Sequence, residues 1–247
     1  FNLKIKRATP LSCEICAIGS GLGNFMLSDQ LPLRAAQIVC GAIYGEVNVW
    51  GTGFIARMED KPFFRKKLNF HAIRGELSKQ RVEKILGHKI ETVTGDAGLL
   101  ADVIVKPVAK KYAVGIIPHF REQDDPVFAQ MKEKYANSTI INLRDEPIGV
   151  IEQMSACEAI ISSSLHGLIV ADCYGIPNKW IKVTDKLKGD GFKFLDYYSA
   201  YGLTAEPLDL KKESIPTINR IYDDYRVDLA VVNEKKKQLL ACFPYKA

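Results

Sequence analysis

Along the chain, short apolar runs end in a glycine or a polar turn, and segments with apolar positions at helical spacing follow them. Residues 13–18 read as a strand that ends in Gly19, Ser20, Gly21, Leu22 and Gly23. Residues 47–50 read as a second strand, ending in Gly51, Thr52 and Gly53. Residues 70–73 lead through Arg74 and Gly75 into a helix over 76–86, which Gly87 stops at the position where a left-handed cap is expected. Residues 90–93 form another strand, ending at Gly95 and Asp96.

The second half repeats the theme. Strands are expected over 113–117, 139–143, 159–161 and 180–183. Helices are expected over 129–135, from Pro147 to about residue 157, and over 165–174, where Gly175 and Pro177 close the last. A charged, mostly helical tail starts near Lys211. Regular alternation of strand and helix predicts α/β architecture with parallel sheets. The expected form is two Rossmann-like halves facing a cleft, over residues 1–106 and 107–210, followed by a helical tail over 211–247.

Composition narrows the class. The proportions, 47% hydrophobic and 26% charged, are those of a globular protein, and no apolar run reaches the length of a membrane span. The net charge of +5 comes from scattered Lys and Arg, without the basic stripe and interleaved aromatics of a nucleic-acid binder. The chain begins at Phe1 with no secretory signal pattern, so a trimmed N-terminus is expected. Cys13 and Cys16 form a CxxC on strand-like sequence, where positions i and i+3 point to opposite faces and do not share a metal readily. The six cysteines are expected to be buried free thiols in a reducing cytoplasm.

In open parallel sheets ligands gather where strands end and helices begin. Ser162-Ser163-Ser164-Leu165-His166-Gly167 stands at such a place. The following helix start favours an anion, the serines add hydroxyl donors, and His166 exchanges a proton near neutrality. Gly167 would let a ligand approach the backbone. The plain alternative is a serine N-cap with a packed histidine. Arg74 could aim a bidentate cation into the cleft with Ser78 beside it, or pair with Glu76 on the surface. His119 ends a strand, either lining the site or serving as a hydrogen-bonded structural residue. Lys193 lies in an aromatic-rich stretch that suits either a sugar and an anion or an ordinary core helix. The glycines of 19–24 match the dinucleotide fingerprint only in part, and Pro32 interrupts soon after. Asp124-Asp125 and Asp223-Asp224 read as solvated rather than as metal sites.

Taken together, WGTGF (50–54), IRGELS (73–78), TGDAGLL (94–100), GIIPHF (115–120) and SSSLHGLIVADCYGIP (162–177) resemble the polysaccharide pyruvyl transferase family, over roughly residues 13 to 200. The family's opening N-x-G-D segment is not found. The resemblance implies a GT-B-like fold and transfer of the pyruvyl group of phosphoenolpyruvate to sugar hydroxyls of a surface polysaccharide or its precursor, usually forming a ketal. It implies phosphoenolpyruvate as co-substrate, with no other cofactor and no metal. His166 would be the catalytic acid or base. Arg74, Ser163, Ser164, Leu165, His166, Gly167 and Lys193 would bind the donor, and His119, Gly51, Gly53 and Asp96 would line the cleft or the acceptor side. Better-known members carry an arginine where this chain has Ser164, and Lys193 is the expected replacement.

The expected partners are phosphoenolpyruvate and a sugar acceptor that could be lipid-linked. No nucleic acid is expected, and at most a peripheral contact at the inner face of the membrane, to which Lys235–Lys237 would contribute unless they are a solvated helix face. Two other functions remain open. One is a GT-B glycosyltransferase using a nucleotide sugar, with Glu152 or Glu158 reaching the ribose. The other is a non-catalytic module that binds an anionic sugar.

Overall fold

The computed structural model describes residues 6–187 and 189–245. Their elements are, in chain order, β1 (Ile15–Ala17), α1 (Leu31–Ile43), β2 (Val47–Thr52), β3 (Leu68–Ile73), α2 (Glu76–Leu86), β4 (Val93–Thr94) and α3 (Ala101–Ile104). Then come β5 (Tyr112–Ile117), α4 (Pro126–Lys134), β6 (Ser138–Ile140), α5 (Pro147–Ser155), β7 (Cys157–Ser162) and α6 (Leu165–Cys173). The remainder is β8 (Asn178–Lys182), α7 (Phe192–Ser199), β9 (Leu208–Asp209), α8 (Ile218–Asp224) and α9 (Leu229–Ala241). The alternation expected from the pattern is present, and both sheets are parallel throughout.

Internal contacts divide the chain into two units, and this division departs from three consecutive segments. Unit 1 comprises Phe1–Ala97, Gly191–Gly202 and Glu234–Ala247, and unit 2 comprises Gly98–Asp190 and Leu203–Asn233. The segments 191–202 and 234–247 therefore do not belong with the second half or with a separate tail. The physical reason is packing. Phe192 of α7 is buried in a core with Leu22, Met26, Val49, Phe54, Ile73 and Val82. The Trp50 indole N–H donates to the Leu239 carbonyl of α9 at 2.9 Å.

Unit 1 carries a sheet in the order β1-β2-β3-β4. One apolar cluster holds Val49 and Ile73, and another holds Phe25, Val47 and Phe64, so Val47 and Val49 of one strand divide between two cores. Pro32 does not interrupt structure here. It occupies the first turn of α1, where its missing N–H costs nothing. Helix α2 has its expected bounds and ends at Gly87 with φ 75°.

Unit 2 carries a sheet in the order β6-β5-β7-β8-β9. Its strands are buried on both faces, with period-two division of their side chains. Ala159 and Ile161 of β7, with Val114 and Ile116 of β5, pack with Phe128 and Met131 of α4 and Ile221 of α8. Cys157, Ile160 and Ile117 pack with Val150 and Met154 of α5 and Val170, Ala171 and Cys173 of α6. Helices α4 and α5 both open with proline after an acidic cap, Asp125 accepting from Val127 N and Glu146 from Gly149 N. The connection β5-α4-β6 lies on one side of β5, and β7, β8 and β9 follow on the other. This reversal makes a topological switch point between the C-terminal ends of β5 and β7.

Candidate functional site

The switch point in unit 2 brings His119 and the serine segment together. Adjacent strands β5 and β7 are in register with Ile117 opposite Ser162. The Ser163 N–H donates to the Ile117 carbonyl at 3.1 Å, and the His119 N–H donates to Ser163 Oγ at 2.8 Å. Ser162 Oγ lies 3.0 Å from the Ile117 carbonyl and accepts from Ser164 N at 2.9 Å. Ser162 and Ser163 are fully buried.

Ser164 occupies the N-cap of α6, yet its side chain makes no capping bond. The plain reading of a serine cap is therefore half right: the position is a cap, and the hydroxyl is not spent on it. Leu165 is buried at the first helical position, and His166 follows, half-buried, in the first turn. The rest of α6 is buried all round, so its start is held rigidly by the core. Gly167 has a structural duty in place of the expected ligand approach. A Cβ there would run into Ser162 Oγ and lie 3.1 Å from Ile117 Cγ2, so its smallness lets α6 sit on β7.

Three charged residues that the sequence did not single out stand at the same edge. Arg121 and Arg144 place their guanidinium carbons 5.5 and 5.7 Å from the exposed Phe120 ring. The His119 ring lies 4.5 Å from the same ring. Arg121 and Arg144 are exposed, and neither takes part in an ion pair among the described residues. Glu122 is buried, and its Oε1 accepts from Thr184 N at 3.1 Å and Thr184 Oγ1 at 2.5 Å. The signal for Arg121 and Glu122 was their position within five residues of a strand end, outweighed by their charged, loop-like surroundings.

Arg74, expected to bind the donor, is engaged by the protein's own groups. This residue is fully buried in unit 1, and all five of its N–H donors are engaged. Nε and Nη2 each lie 2.9 Å from Asp196 Oδ2. Nη1 donates to the Gly19 carbonyl and to Ser20 Oγ, both at 2.8 Å, and Nη2 donates to the Phe54 carbonyl at 2.5 Å. Ser78 completes the cluster, its N–H and hydroxyl each 2.6 Å from an Asp196 oxygen. Arg74 is a fastener between the strand ends and α7, with Asp196 rather than Glu76 as its acidic partner. Asp196 was missed because a lone acid in FKFLDYYS carries no motif.

Of the expected acceptor residues of unit 1, Gly53 borders the same construction. A Cβ at Gly53 would lie 2.5 Å from Asp196 Oδ2 and 2.7 Å from Arg74 Nη2. Gly51 turns with φ 73°, and its Cβ would lie 2.5 Å from Ala97 N. Asp96 is fully buried. Lys193 sits in the first turn of α7, 5.2 Å from the Phe194 ring, and belongs to unit 1, whereas Ser164 belongs to unit 2.

Other expectations are likewise relocated. Lys235 and Lys236 are buried instead of solvated. The Lys235 amine donates to the Thr94 carbonyl at 2.9 Å, and burial lowers its pKa. Glu152 lies on α5, and Glu158 is exposed near the N-terminal end of β7, the end opposite the switch point. None of the six cysteines forms a disulfide, and Cys157 and Cys173 are buried while the others are partly so. Burial pushes the Cys16 thiol up to about 11 and the Cys157 thiol up to about 12, which keeps both protonated at neutral pH. Asp125 caps a helix and Asp224 pairs with Lys179. No cluster of three or more metal-ligating side chains occurs among the described residues. No helix among them is long and apolar enough to cross a membrane.

Fold and edge together define a doubly wound α/β protein whose hydroxyl, imidazole and guanidinium groups collect at one switch point. The chain belongs to the polysaccharide pyruvyl transferase family, whose model matches residues 2–183, and membership makes it a transferase with a pyruvyltransferase role. It is similar to the uncharacterized protein L143 of Acanthamoeba polyphaga mimivirus, 26% identical over 204 residues that cover 78% of this chain and 70% of that relative. It is also similar to the succinoglycan biosynthesis protein ExoV of Rhizobium meliloti strain 1021. There the identity is 25% over 190 residues, which cover 76% of this chain and 54% of ExoV, so the chain spans about half of that relative's length.

Proposed function

We propose that this protein transfers the pyruvyl group of phosphoenolpyruvate to a sugar of an exopolysaccharide or its precursor, forming a ketal, on the cytoplasmic side of the membrane. A GT-B-like fold is part of this reading, as is a sugar acceptor that is free or lipid-linked. No metal or further cofactor enters it. The single observation that carries the reading is the switch point of unit 2, where an uncommitted Ser164 caps α6 and His166 stands in its first turn.

The chemistry fits that edge. Phosphoenolpyruvate brings a carboxylate and a phosphate, which the N–H groups at the start of α6 and the hydroxyl of Ser164 can meet. Arg121 and Arg144 supply the cations that Arg74 cannot, and they take the part expected of Lys193. His166 delivers a proton to the methylene carbon as a sugar oxygen adds to C2. A second hydroxyl then displaces phosphate from C2 and closes the ketal. The reading is tested by incubating the protein with phosphoenolpyruvate and a panel of sugars, following phosphate release and the mass of the sugar. One phosphate released per pyruvyl gained is the expected result. Turnover of nucleotide sugars with no use of phosphoenolpyruvate would replace this reading with a glycosyltransferase.

A further inference from the structure

Glu122 occupies a place that strand order alone makes informative. It lies in the loop after β5, and its partner Thr184 lies two residues beyond β8. Strand β7 runs between β5 and β8, and all three are parallel. A hydrogen bond from the β5 loop to the β8 loop therefore crosses two strand spacings, about 9.5 Å, over the C-terminal end of β7. That end is where Ser163, Ser164, Leu165 and His166 leave the sheet.

The carboxyl group is held at one oxygen and not at the other. Oε1 takes both the N–H and the hydroxyl of Thr184, while Oε2 is enclosed and has no hydrogen-bond partner among the described residues. Enclosing a carboxylate oxygen without a donor is costly, and a catalytic role that brings a donor from outside the fold is one way such an atom is accounted for. The charge decides what kind of donor. A carboxylate repels the phosphate and carboxylate of the donor substrate, and it accepts readily from a neutral hydroxyl.

From this we propose that Glu122 Oε2 receives the hydroxyl of the acceptor sugar and is the base for its addition, a role that rests on the pyruvyl transfer proposed above. In that step the acceptor oxygen bonds to C2 of the enol as the C2–C3 π pair takes a proton at C3 from the His166 imidazolium. The hydroxyl proton passes to Glu122, so one proton is given and one received. Thr184 holds the carboxyl group in place by occupying Oε1.

The test compares wild type with Glu122→Gln, Glu122→Ala and, as a control at the opposite end of β7, Glu158→Gln. Phosphate release is followed with phosphoenolpyruvate and a panel of methyl glycosides, and phosphoenolpyruvate binding is measured by calorimetry. Glu122→Gln is expected to lower kcat by about 100-fold or more, with phosphoenolpyruvate affinity unchanged or tighter. Formate is expected to restore part of the turnover of Glu122→Ala, which a purely structural loss would not permit. Glu158→Gln is expected to match wild type. Wild-type turnover in Glu122→Gln, or loss of phosphoenolpyruvate binding in both Glu122 variants without formate rescue, reduces Glu122 to a brace and overturns the proposal. A wild-type protein that neither binds phosphoenolpyruvate nor transfers it overturns the functional reading itself.

Discussion

The two units put polar residues at the ends of parallel strands to opposite uses. In unit 1 the strand-end arginine, glycines and serine turn inward. Arg74, Ser78 and Asp196 form a buried hydrogen-bonded network, against which Gly53 leaves no room for a side chain. In unit 2 the strand-end groups are only partly committed. Ser164 caps without bonding, His166 is half-buried, and Arg121 and Arg144 are exposed. The sheets explain the difference. Unit 1 runs β1-β2-β3-β4 in one direction, whereas unit 2 reverses beside β5 and splits its connections there. A charged residue after a strand is evidence of a site only where the topology parts the neighbouring loops.

The largest expected effect breaks the unit 1 side of this comparison. Arg74→Ala or Asp196→Asn leaves a buried partner uncompensated and should cost about 3–5 kcal/mol, read as a lower denaturant midpoint. Arg74→Lys should recover little of it, because a lysine has neither the fork nor the five donors. An Arg74→Ala protein that stays stable but no longer binds phosphoenolpyruvate would reverse the assignment. Next comes His166→Ala, expected to lower turnover by about 10² to 10⁴-fold with unfolding unchanged, measured by phosphate release and thermal melting.

Gly167→Ala is the third test and concerns packing inside the site. The added methyl meets Ser162 Oγ and should destabilise unit 2 by about 1–3 kcal/mol, with a matching fall in melting temperature. The smallest effects separate two sources of positive charge. Replacing Arg121 and Arg144 together by glutamine should weaken phosphoenolpyruvate binding by about tenfold or more. Lys193→Ala should change it by less than about twofold, the size of a surface substitution. The reverse ranking would return the donor's cation to α7.

Much of the fold was legible because its signals are local. Helix α2 ends at Gly87 and α6 starts at Leu165 as the pattern of glycine and apolar spacing predicts. Pro32 misled because proline stops a helix from inside but starts one at its first turn. The serine-histidine segment was legible as a strand end, and its pairing with His119 follows from neighbouring parallel strands. The partner of Arg74 was not legible because Asp196 is 122 residues away in the sequence. Periodicity reports which face of an element is buried and is silent on which distant side chain meets it. Glu122 was missed for the same reason, since its meaning depends on the order of β5, β7 and β8.

That separation also sets a clock for biosynthesis. Residues 19–86 supply most of the Arg74 network, but its counter-charge arrives only with Asp196. At about 5–20 residues per second, the separation of 122 residues takes roughly 6–24 s to translate. Throughout that interval the Arg74 guanidinium is without the Asp196 carboxylate that it meets in the folded protein. Unit 1 is therefore completed only after Gly98–Asp190 of unit 2 has been made, because its segments Gly191–Gly202 and Glu234–Ala247 follow in the chain.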